Sequence, residues 1–156
     1  MRFFWAVWLL LLSSGQVIAS ESVMDKSPPL RVFTSEESFE DVVDNIKMAI
    51  VNQGLLVSGT LHVSDMLNRT APDLGYPQLF SKAESVEFCS ALMSHKMSQA
   101  AAENIAICPF TIAIYVKLKE PDQVYIAYRP PLLMGDSVEA TQAIIDLLEG
   151  IIEDAK

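Results

Sequence analysis

The residues with the widest chemical range in this chain are two cysteines, Cys89 and Cys108, together with the run Ala91-Leu-Met-Ser-His-Lys-Met97. Cys89 falls at the expected start of a helix, where backbone N–H groups and the helix dipole favour a thiolate, so it is the candidate nucleophile or ligand of the pair. Met93 and Met97 follow at four-residue spacing. On a helix, Cys89, Met93 and Met97 share a face and form an array of soft sulfur donors suited to Cu(I) or to a haem iron. His95 stands two residues from each methionine, about 200° around the helix at ~100° per residue, and does not join that face. The competing reading has Met93 and Met97 as core-filling residues and His95 solvated.

For the two thiols three readings stand open: an intrachain disulfide, two buried unbonded cysteines, or a ligand or redox role for at least one. An even number of cysteines in an oxidising compartment suggests a bridge, worth roughly 3 kcal/mol by chain entropy. The expected layout speaks against it. Cys89 ends one strand and Cys108 lies near the start of the next, so in a parallel βαβ unit they sit at opposite ends of the sheet, beyond the ~7 Å Cα separation a bridge tolerates.

Nothing else in the chain reads as a catalytic set. His62 sits in an expected strand and meets His95 only if the tertiary fold brings them together. Glu36-Glu37, Glu40-Asp41 and Asp44 are spaced as solvated helix faces. There is no Gly-rich phosphate loop, Gly-x-Ser-x-Gly, His-Glu-x-x-His or Cys-x-x-Cys run, and without Cys-x-x-Cys-His covalent c-type haem is excluded. Asn68-Arg-Thr70 fits a glycosylation acceptor, relevant only in a eukaryotic source.

The elements that must position these residues follow from periodicity. Leu30 to Phe33 is a short β-prone run, and Thr34-Ser-Glu-Glu37 reads as a capping box opening a helix. Phe39, Val42, Val43, Ile46, Ala49 and Ile50 recur at helical spacing, closed by Gly54. Leu55 to Val63 predicts a strand, with a short helical turn over 65–68 and an irregular stretch over 70–77, which holds two prolines and a glycine. Ala83 to Phe88 predicts a strand, Ser90 to Ala102 a helix, and Ile105 to Lys117 with Val124 to Tyr128 a β-hairpin turning at Pro121. In the last helix, about 137–154, the apolar residues Ile144, Ile145, Leu147, Leu148, Ile151 and Ile152 span an arc of about 160°. That arc is wide enough to cover a sheet and also touch a second subunit. The order βαββαββα predicts a single small α+β domain, with an antiparallel-rich mixed sheet and helices packed largely on one face.

The N-terminus adds a compartment. Arg2, the apolar run Phe3 to Leu12 and the small residues up to Ala19 have the order of a cleavable export signal, cut between Ala19 and Ser20. The apolar run is roughly half of the ~20 residues needed to span a bilayer, so no stable anchor is expected after cleavage. Residues 20–29 read as a flexible lead-in ending in two prolines, and 30–156 as the folded domain. Cleavage removes both tryptophans and, of the charged residues, Arg2 alone; 137 residues remain, with 10 basic against 20 acidic and a formal charge of −10 where the whole chain has −9. That balance argues against a nucleic-acid partner.

Phe88-Cys-Ser-Ala91, Ser94-His-Lys-Met97, Ile107-Cys-Pro-Phe-Thr-Ile-Ala-Ile-Tyr115 and Val124-Tyr-Ile-Ala-Tyr-Arg-Pro130 resemble the exported branch of domain-of-unknown-function family 302. The helix from Ser38-Phe-Glu-Asp-Val-Val43 to Gly54 is similar to that family's opening helix, and the likeness extends over about 31–131. The resemblance implies a small sheet-plus-helix domain, often a homodimer, and no assigned activity. Cys108 precedes Pro109, where many members place the second cysteine after the proline, so no role transfers to Cys108. The exported members imply a weak link to sulfur and electron transfer.

These readings converge on a periplasmic or secreted, non-enzymatic binding domain, a homodimer with a metal, haem or thiol ligand near Cys89, Met93, His95, Met97 and Cys108. Two alternatives stand beside it: a thiol-dependent redox or sulfur-carrier protein using Cys89, and an accessory subunit that works by protein contact.

Overall fold

Alternation along Phe110-Thr-Ile-Ala-Ile-Tyr-Val-Lys117 gives one strand two unlike faces. Ile112, Ile114 and Val116 are buried, whereas Thr111 is exposed and Ala113, Tyr115 and Lys117 are half-buried on the other side. In the computed structural model, which describes residues 30–156, that strand lies at the centre of a five-stranded sheet. The expected export signal and lead-in, residues 1–29, lie outside the described residues.

The elements run β1 (Arg31–Ser35), α1 (Phe39–Asn52), β2 (Leu56–His62), α2 (Val63–Leu74), β3 (Phe80–Cys89), α3 (Ala91–Ala100), a 3-10 segment (Ala102–Ile107), β4 (Phe110–Lys117), β5 (Val124–Tyr128) and α4 (Val138–Glu153). The sheet order is β1-β5-β4-β3-β2, and every neighbouring pair is antiparallel. The chain is thus a single α+β domain with an antiparallel sheet. α1 lies across β2, β3 and β4, and α4 packs against α1 and α3. Val42, Ile46 and Ile50 of α1 and Ile144, Ile151 and Ile152 of α4 meet Ile112, Ile114 and Ile126 of the sheet, all without exposed surface. Each such side chain contributes about 1.5–3 kcal/mol on leaving water.

Several local expectations change for physical reasons. Thr34 and Ser35 are paired with Tyr125 and Val124 inside β1, so they cannot cap α1. The cap is Ser38, whose hydroxyl oxygen accepts from the Asp41 amide at 3.2 Å. α2 continues through Pro72 to a left-handed Gly75, where local sequence alone predicts an irregular stretch; Pro72 lies in the last turn, lacks the amide that would donate to the Asn68 carbonyl, and the helix ends two residues beyond it. Ile105 to Ile107 belong to the 3-10 segment, so the expected strand from Ile105 begins only at Phe110.

The largest correction concerns the parallel βαβ layout for Cys89 and Cys108. β3 and β4 are antiparallel with Phe88 opposite Phe110, so the end of β3 and the start of β4 share one end of the sheet. Cys89 and Cys108 form a disulfide with Cα atoms 6.1 Å apart. α3 and the 3-10 segment carry the chain out from that end and back to it.

A buried side chain holds this excursion in place. Asn104 donates from Nδ2 to the Met97 carbonyl at 2.9 Å and the Met134 carbonyl at 3.1 Å, and its Oδ1 accepts from the Met134 amide at 2.8 Å. It ties α3 to the segment before α4. Asn104→Ala removes three hydrogen bonds and takes the partner from the Met134 amide and carbonyl, the Met97 carbonyl keeping the Ala101 amide; it is expected to lower stability by about 2 kcal/mol, read as a shift in the urea midpoint with an unchanged m-value.

Candidate functional site

Of the expected sulfur array only Met93 and Met97 lie on a helix, α3, because Cys89 is the last residue of β3, and the protein uses all three side chains otherwise. Met97 is wholly buried in the core, Met93 is half-buried against that core, and both cysteine sulfurs are spent in the bridge. Ser90, not Cys89, caps α3, its hydroxyl accepting from the Met93 amide at 3.3 Å. His95 is exposed on the far side of the helix. His62 stands at the end of β2 with Nδ1 3.0 Å from Glu84, its cross-strand partner. Hence the structure brings Cys89 and Cys108 together and leaves Met97 and His95 on different sides of α3. Among the described residues no three His, Cys, Asp or Glu side chains converge on a metal-sized site. Asn68 lies within α2, where the Thr70 hydroxyl donates back to the Met66 carbonyl at 3.0 Å.

A different site emerges on the sheet. The helices on the core side cover Ile112, Ile114 and Val116, so the odd-numbered residues of β4 floor a groove of about 970 Å³. Pockets that take small ligands span roughly 300–1,000 Å³. The floor is apolar: Ala113 pairs with Ala127 of β5, and Tyr115 stacks on Tyr125 at 5.2 Å while meeting the edge of Phe80 at 5.5 Å. Small residues at the centre and rings at one end leave a trough rather than a flat sheet. Leu79 and Leu132 stand exposed along its walls. The other end is walled by Ile107, Pro109 and Phe110, the residues flanking the disulfide.

The groove's electrostatics run against those of the chain. Its lining holds Lys117, Lys119 and Arg129 against the single carboxylate Glu120, in a chain with 20 acidic and 11 basic residues. Glu120 accepts from the Tyr125 hydroxyl and pairs with Lys117 at 3.3 Å; the Tyr125 hydrogen bond first and Lys117 second hold its carboxyl below the usual carboxylate range. The Lys117 ammonium in turn lies 3.9 Å from the Tyr125 ring centre and titrates above an ordinary lysine, chiefly through Tyr125. At the opposite end the buried Tyr128 hydroxyl donates to Glu149 at 2.7 Å, and burial, then this hydrogen bond, pushes the phenol above its ordinary range. Arg31 pairs with the same Glu149 oxygen. Tyr128 is therefore a fixed hydrogen-bond donor and not a proton source at neutral pH.

The alternation along β4 carries the signal for this groove. Once helices are expected on one face only, Ala113, Tyr115 and Lys117 must line the uncovered one.

Comparison with known proteins bears on family and fold. No curated protein matches the chain. The chain is similar to a crystal structure of an uncharacterized conserved DUF302 protein from Bacillus stearothermophilus, with a TM-score of 0.65 and 12% identity, covering 82% of this chain and 98% of that one. At that identity the likeness is one of fold. The profile of the family described as Domain of unknown function DUF302 matches residues 31–155, nearly the whole described domain, and the chain belongs to that family.

Proposed function

We propose that this DUF302 domain is an exported, non-enzymatic binding module whose ligand lies in the groove over β4 and β5, not at the Cys89 helix. The observation that carries the reading is the apolar trough of about 970 Å³ along β4, floored by Ala113 and Tyr115 on the side of the sheet that the core helices leave uncovered and bordered also by Ile144 and Leu148 of α4. A metal or haem bound by Cys89, Met93 and Met97 loses its donors to the disulfide and the core. The groove needs no such rearrangement.

The test fills the trough. Ala113 is half-buried at its centre, and a tryptophan there is tolerated by a strand while occupying the space above Ala127. Ala113→Trp is expected to weaken binding of the uncharged dye Nile red by about tenfold or more, whereas Leu92→Ala on exposed α3 leaves it unchanged. Equal dye binding by both variants refutes the groove as a site.

A second reading, thiol exchange at Cys89, has one observation in its favour: Cys89 is exposed while Cys108 is half-buried against the core. An incoming thiolate would reach the Cys89 sulfur and expel Cys108 as the leaving thiolate.

A further inference from the structure

We infer that the groove takes a long-chain carboxylate, its acyl chain along β4 and its headgroup at a cationic end; this rests on the groove reading above. The groove follows β4 from Phe110 to Lys117, seven strand steps or about 24 Å at the usual rise. A site of that length with an alanine floor and aromatic and leucine walls suits a flexible apolar chain better than a compact polar metabolite. It offers few convergent polar groups between its ends.

The charge distribution selects the headgroup. Lys117 is already engaged with Glu120, which leaves Lys119 at that end and Arg129 at the other. Arg129 follows Tyr128, the partner of Ile112, and so stands near the start of β4. Among the described residues neither Lys119 nor Arg129 forms an ion pair. A carboxylate gains a charge-assisted bond at such a group, and an acidic chain otherwise repels anions. The cations mark the groove's ends as the places on this surface where an anion is welcome.

The experiment uses competition for bound Nile red by dodecanoate and by dodecanol, which differ at the headgroup. Dodecanoate is expected to displace the dye at about tenfold lower concentration, a preference that shrinks with added salt. The double variant Lys119→Ala/Arg129→Ala is expected to reduce the preference for dodecanoate over dodecanol from about tenfold to about onefold, read as the ratio of the two competing concentrations in that variant. Equal competition by the two in the parent overturns the headgroup assignment and leaves the groove reading intact. Absence of Nile red binding overturns both. A dimer in sedimentation that Ala113→Trp dissociates, with dye bound only by the dilute monomer, overturns the inference by giving the groove to a second copy of the chain.

Discussion

The variant Gly135→Ala is expected to lose about 3 kcal/mol of stability, melting roughly 10 °C below the parent, although Gly135 is exposed and does not line the groove. Two effects add. Gly135 has φ +77°, a left-handed conformation that an L side chain adopts only with strain. In addition, a Cβ at this position would lie 2.3 Å from the Ala100 carbonyl oxygen and 3.0 Å from its carbon, atoms of the last residue of α3 that cannot yield as a flexible side chain would. Backbone must move, and the Asn104 bonds to Met134, one residue away, resist the movement. Gly54→Ala separates the two effects. Gly54 has nearly the same dihedral, φ +74°, but nothing lies within 4 Å of its Cβ position, so its loss should stay near the conformational term of about 1 kcal/mol. Similar melting points for the two variants in calorimetry would show that the contact with Ala100 is not limiting.

Much of the fold was readable because its strongest signals are periodic. The residues of α1 that recur at helical spacing, Phe39, Val42, Val43, Ile46, Ala49 and Ile50, are its buried ones, and Ile144, Leu148, Ile151 and Ile152 are buried along α4. The hairpin of β4 and β5 follows from alternation broken at Pro121. Boundaries failed where tertiary pairing overrode a local preference. Thr34 and Ser35 are good cap residues, but β1 is an edge strand that holds them opposite β5. Ile107 reads as strand by type, yet the chain there must turn back to bring Cys108 beside Cys89.

The candidate site was less readable because its clues are relational. Nothing in Ala113, Ala127 or Arg129 taken singly suggests a site. They acquire meaning from the sheet order, which places β4 in the centre with β5 and β3 on either side. Asn104 and Gly135 were invisible for the same reason, since their importance lies in contacts with Met134 and Ala100. The cysteines, by contrast, are conspicuous by type alone, but whether they pair depends on the relative direction of β3 and β4, which their spacing does not encode.

Removing the disulfide as Cys89→Ser/Cys108→Ser is expected to lower stability by about 3 kcal/mol, measured by urea unfolding of the oxidised parent and the variant side by side. The bridge spans 19 residues of sequence, a loop that holds all of α3 and the 3-10 segment. In the unfolded chain that loop loses much of its freedom when closed. In the folded chain it sits where antiparallel β3 and β4 already bring the ends together, so the double variant should keep the fold, and Nile red should still bind with the wall of Ile107, Pro109 and Phe110 loosened. The same residues decide the thiol-exchange reading. If exchange is the function, Cys108→Ser should accumulate glutathione on Cys89 in a glutathione redox buffer, because the resolving thiol that would release it is gone. The parent should then cycle between oxidised and reduced forms in that buffer with the groove intact in both. If the bridge is structural, the parent stays oxidised there, and stronger reductant produces the stability loss of the double variant. A parent that remains oxidised and a double variant as stable as the parent would contradict both readings of the disulfide, because a bridge that neither exchanges nor stabilises has no consequence for this fold.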